Sequence, residues 1–122
     1  MCISFNNHQN TKSLEEKYLQ DVLSKILQEF KKNPQDILTM PEVSDDSYFL
    51  FASSDGKRII ITESTQLPCL VMPKPYILNN DNFAHMYGLY RALKQGFTFR
   101  KCPDLETECW LTIFNHLQIE IL

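Results

Sequence analysis

Glycine is scarce in this chain, three residues in 122, and the scarcity removes whole classes of chemistry. Phosphate-cradling loops of the GxGxxG or GxxxxGK type need glycine where backbone approaches a phosphate, and neither pattern occurs. The GxSxG elbow of hydrolases and the HExxH pair of zinc proteases are missing as well. Long apolar runs are also lacking. Nothing approaches the roughly 20 apolar residues that span a bilayer, and the opening MCISFNNHQNTK has no apolar signal-peptide core. The expected location is the cytoplasm.

An excess of positive charge is missing too. The formal net charge is -3 and the pI about 5.5, so no global field gathers nucleic acid or an anionic membrane, and neither is an expected partner. A basic protein suits the balance better. The four cysteines (Cys2, Cys69, Cys102, Cys109) show no tight spacing, which predicts reduced thiols rather than a disulfide framework. No CxxC, HxH or HxxxH pattern joins them to His8, His85 or His116. Cys109 and His116 fall two turns apart on a predicted helix, about 10 Å by the helical rise, too far to share an ion held at about 2 Å. No metal and no cofactor are expected.

What is present is the material of one domain. The chain is 43% hydrophobic, with Phe 8, Tyr 5 and Trp 1, enough for one core over residues 1–122 and too little for two. Residues 1–11 read as a flexible lead or short edge strand. Ser13 and Glu16 form a capping box that predicts a helix start, followed by an apolar stripe from Leu14 to Phe30 and by Lys31, Lys32 and Pro34 at its end. Residues 34–46 carry Asp36, Glu42, Asp45 and Asp46 without a lysine or arginine, and read as an acidic loop.

SYFLFASSDGKRIIIT then gives two strands joined through Asp55-Gly56, a pair that tolerates the positive φ of a hairpin turn. Neither strand alternates cleanly: Tyr48 to Phe51 and Ile59 to Ile61 are apolar on both faces, which implies a sheet covered on both sides or one face closed by a partner. Cys69 to Met72 reads as a short third strand bracketed by prolines, at an edge or ending abruptly, with an extended segment after it. A helix capped by Asn80 or Asp81 puts Phe83, Met86, Tyr87, Tyr90 and Leu93 on one face, predicted as core, and stops at Gly96. Phe97 to Arg100 reads as a brief extended piece. Pro103 and Asp104 open the last helix, and Leu117 to Leu122 fits a continued helix or a terminal strand equally. The predicted fold is α+β: an N-terminal helix, an antiparallel hairpin plus a short third strand, and two C-terminal helices packed on the sheet.

Two resemblances touch this chain without assigning it. The Met1-Cys2 start is similar to that of class II glutamine amidotransferases, but Ile3 stands where glycine is usual and no role carries over. In size and mild acidity the chain is similar to the immunity proteins that neutralise bacterial toxins. The favoured reading is a non-enzymatic protein-binding module, an inhibitor or adaptor, that contacts another protein or a second copy of itself. Its expected surface is the acidic loop and hairpin edge, with Asp36, Glu42, Asp45 and Asp46 as electrostatic contacts and Tyr48 as an anchor. Asp104, Glu106 and Glu108 join that patch if the last helix packs nearby. The alternatives are a small cysteine/histidine enzyme, using Cys102 or Cys109 with His85 or His116, and a nucleic-acid or phosphate binder through Arg91, Lys94, Arg100 and Lys101.

Overall fold

The computed structural model describes the backbone of residues 2–44, 47–64 and 75–122, and side chains from Leu14 onward within those ranges. Helix α1 spans Cys2–Lys32, so Ser13 lies inside the helix and not at its start. No proline or glycine between residues 2 and 33 interrupts the backbone hydrogen-bonding pattern, and a capping box opens a helix only where the chain upstream leaves it. The predicted stripe is buried in its later part, at Val22, Ile26, Leu27 and Phe30, whereas Tyr18, Leu19 and Leu23 are half-buried and Leu14 is 69% exposed. Lys31 and Lys32 sit in the last turn, where the helix dipole favours cations, and the Asn33 amide bonds back to the Glu29 carbonyl at 2.8 Å.

Four antiparallel strands follow in the spatial order of the chain: β1 (Gln35–Leu38), β2 (Phe49–Ser54), β3 (Ile59–Glu63) and β4 (Tyr76–Ile77). Two of them correct the sequence reading. Residues 35–38, expected in a loop, are a strand, with Ile37 opposite Leu50 and Asp36 opposite Phe51. The acidic stretch becomes loop-like only afterwards, where the Val43 and Ser44 amides both bond to the Met40 carbonyl. The β2–β3 hairpin, expected to offer an edge, is the centre of the sheet, because β1 and β4 pair on either side of it. The third strand predicted at Cys69–Met72 lies outside the described residues, and the extended segment expected after it contains β4.

The hairpin turn forms as predicted. Asp55 Oδ1 accepts from the Lys57 and Arg58 amides at 2.8 and 2.9 Å, which holds its carboxyl below the usual range, and Gly56 takes φ +92°.

A 3-10 turn (Asn80–Asn82) leads into α2 (Phe83–Lys94). Asn79 caps the 3-10 turn, its side chain accepting from the Asp81 amide, whereas the N-cap of α2 is Asn82, without a side-chain cap bond; Asn80 and Asp81, expected to cap the helix, lie in the turn before it. Phe83, Met86, Tyr87 and Tyr90 are buried as predicted, and Gly96, at φ +103°, follows the helix. Residues 97–104 are irregular, not a strand. Helix α3 (Leu105–Leu117) is capped by Asp104 Oδ1, 2.9 Å from the Thr107 amide. It ends at Gln118 in the left-handed region, φ 51°. The tail beyond is neither helix nor strand: Ile119 and Ile121 pack on the core, the Leu122 amide donates to Tyr87 Oη, and Tyr18 Oη donates to the Glu120 carbonyl.

One core joins these elements. Ile37, Leu50, Ala52, Ile59 and Ile61 from one face of the sheet meet Ile26 and Phe30 of α1 and a tilted aromatic cluster of Phe83, Tyr90, Trp110 and Phe114. α1 contacts β2 and α3 contacts β1, while α2 rests on α3 and α1, so the helices lie on that face of the sheet.

Candidate functional site

Only part of the expected acidic surface falls on described residues. Asp36 is on β1, Glu42 is exposed in the turn after it, and Asp45 and Asp46 lie outside the described residues. Glu42 shares a cleft of about 190 Å³ with Pro41, Val43 and Ser44 on one wall and Phe99, Arg100, Lys101 and Cys102 on the other. The folded chain therefore sets the acidic turn against the basic segment proposed for phosphate binding, and each offsets the other's potential.

The carboxylates of α3 turn inward. Glu108 is buried and accepts from Tyr48 Oη at 2.6 Å. Burial first, and the Glu108 carboxylate second, push the Tyr48 phenol well above its usual range. Glu106 accepts from Trp110 Nε1 at 2.8 Å, the Asn79 amide at 3.0 Å and Tyr76 Oη at 3.2 Å. The Tyr76 phenol is pushed up to about 12 by burial and then by Glu106. These contacts clamp α3 to the ends of the sheet. Tyr48, read from sequence as an outward anchor, has its hydroxyl committed to one of them.

Other candidates are similarly absorbed. Arg91 lies over the Tyr87 ring at 5.8 Å and Lys94 over Tyr90 at 5.2 Å, so two of the four proposed phosphate-binding cations cover the backs of core tyrosines. Cys109 is buried, and desolvation, followed by the acidic residues around it, pushes its thiol up, away from the thiolate a nucleophile needs. His85 and His116 are both exposed. Among the described residues no group of three or more His, Cys, Asp or Glu is placed to hold a metal ion, and no helix is long and apolar enough to cross a membrane.

What remains is the second face of the sheet. In an antiparallel pair, opposed residues project to the same side. Leu38 with Phe49, Asp36 with Phe51 and Thr62, and Ser53 with Ile60 and Ile77 thus share the face away from the helices. Leu38 and Ile77 are 47% and 46% exposed, and Phe49, Phe51 and Ile60 are half-buried and stand apart from the core cluster. Asp36 sits among them half-buried, with Oδ1 shut off from solvent and without a hydrogen-bond partner among the described residues. The apolar runs on both parities of β2 and β3 had announced this face. Leu38 and Ile77 escaped because β1 and β4 are too short, at four and two residues, to show a period.

No family model, no curated protein and no solved structure matches the chain.

Proposed function

We propose that the protein is a non-enzymatic binding module, an adaptor or inhibitor, that acts by closing the open face of its sheet against another polypeptide. The observation that carries this reading is the combination on that face of exposed apolar side chains with an unpartnered carboxylate oxygen at Asp36. Apolar strand surface of this kind is what protein interfaces use at their centres. The Asp36 carboxylate sets a negative charge among these apolar groups, to which a partner's cation or N–H is complementary. The preferred partner presents an apolar surface containing one cation, which agrees with the acidic balance of the chain. Asp36 keeps the contact role expected from sequence, while Glu42 moves to the rim beside Arg100 and Lys101.

Parallel capture from the native cell with the wild-type chain and with Phe51→Asp tests the reading; Phe51 lies outside the core cluster but opposite Asp36, so circular dichroism of the variant accompanies the capture to show that it is folded. Chains retained by the wild type should be lost with Phe51→Asp and weakened with Asp36→Asn. An identical retained set in all three would refute it.

A further inference from the structure

Resting on that reading, we infer that the polypeptide closing the open face is a second copy of this chain, in a two-fold, face-to-face dimer in which Asp36 of each copy meets Arg58 of the other. Arg58 belongs to the same face. It stands opposite Asp55, one step beyond the turn-proximal pair Ser54–Ile59, so it has the parity of Ile60, and it lines a hollow of about 390 Å³ together with Ile77, Leu78, Asn79 and Asn80. It is exposed. The face thus carries Asp36 at one end and Arg58, with Asp55 opposite it, at the other.

Strand geometry places the symmetry axis. Asp36 is level with Phe51 and Arg58 with Asp55, four residues farther along β2, and β1 and β3 are two strand intervals apart. At about 3.3 Å per residue and about 4.8 Å per strand the two charges are roughly 16 Å apart, with their midpoint over Ser53. A two-fold axis through that midpoint, perpendicular to the line joining them, exchanges the charges and makes both ion pairs at once. The same operation sets Ile60 and Ile77 of one copy over Phe51 of the other. It also brings the exposed Leu38 to the hollow beside Arg58. The strands of the two sheets then cross at roughly 70°, nearer the orthogonal class of sheet packing than the aligned one. Phe51 of each copy thus meets Ile60 and Ile77 of the other, and the Asp36 carboxylate faces a guanidinium.

Sedimentation velocity of the full chain over a range of concentrations tests this. The wild type should be a dimer. Asp36→Arg and Arg58→Asp, each placing two like charges in contact, should each raise the dissociation constant by at least about tenfold. An equimolar mixture of the two variants should associate again, because both pairs in the mixed dimer are of opposite sign. Arg58 is at an exposed turn, so Arg58→Asp carries the test alone if Asp36→Arg does not fold. A wild type that stays monomeric, single variants that dimerise as the wild type does, or folded variants that do not reassociate when mixed would each overturn the inference. A monomeric wild type that still retains a different, Phe51-dependent polypeptide would sink the second copy while sparing the face. A dimer indifferent to Phe51→Asp would sink both.

Discussion

Replacing Asp36 by valine should stabilise the isolated chain and at the same time weaken its association. One carboxylate oxygen of Asp36 is sealed without a donor while the residue as a whole is only half-buried, so the relief belongs at the low end of the range for an unsatisfied group, about 1 kcal/mol. Aspartate is also among the residues depleted in strands, and valine among the enriched, on a scale spanning about 1 kcal/mol. The two together give about 1–2 kcal/mol. For a chain of this length that raises Tm by several degrees, on the order of 4–8 °C, and moves the urea midpoint upward by roughly 0.5–1 M at a typical slope. The measurement is urea unfolding at a concentration low enough to keep the chain monomeric, followed through the emission of the single, fully buried Trp110. Destabilisation by Asp36→Val would refute the reasoning, since it would mean that the carboxylate has a partner within the folded monomer.

Four further outcomes follow from the clamps and turns. Glu106→Ala strands the buried Trp110 N–H, while the Asn79 and Tyr76 donors nearer the surface recover water; the expected loss is about 2–3 kcal/mol with a shift in Trp110 emission, and a loss below about 0.5 kcal/mol would contradict it. Gly56→Ala forces an alanine to φ +92°, and thermal melting should show a cost of about 1–2 kcal/mol. Tyr48 and Tyr76 both hold their protons more tightly folded than unfolded, so their contribution is intact below pH 10 and is lost as pH rises through the folded value, about 12 for Tyr76; alkaline titration of tyrosinate absorbance should show two phenols ionising only as the protein unfolds. Iodoacetamide at neutral pH, read by peptide mass mapping, should label exposed Cys102 well before buried Cys109.

The helices and hairpin were legible because each carries a local physical signal. The stripe from Val22 to Phe30, the face from Phe83 to Tyr90, the Asp104 cap and the Asp55-Gly56 turn all act within a few residues of chain. β1 was not legible for the opposite reason. Gln35–Leu38 has one buried side chain, Ile37, and exists as a strand because β2 offers it backbone partners; nothing in QDIL alone separates it from loop. α1 starts eleven residues before Ser13, since Ser13 and Glu16 compose a cap signal that an uninterrupted helix overrides. At the candidate site the need for something to cover β2 and β3 was readable from Tyr48–Phe51 and Ile59–Ile61. Which acids would serve was not, because sequence carries no sign of the partners that draw Glu106 and Glu108 inward.

The contrast between those acids sets the character of the open face. Glu106 and Glu108 each find a tyrosine donor across the helix–sheet boundary, whereas Asp36 on the opposite side of the sheet leaves an oxygen sealed and unpaired among the described residues. Covering the exposed halves of Leu38 and Ile77 is worth about 1 kcal/mol each, and any apolar surface can supply that. A surface without a donor would at the same time bury the rest of the Asp36 carboxylate unpaired, at a cost of the same order or larger. The apolar groups therefore provide adhesion indiscriminately, and the acid cancels it for every arrival that does not bring a cation to the right place. Selectivity on this face comes from what Asp36 rejects, so Asp36→Val should broaden the set of surfaces the chain adheres to even as it weakens the intended contact. Retention of the variant, but not of the wild type, on a neutral apolar matrix would display that loss of discrimination, and equal retention would deny the acid its filtering role.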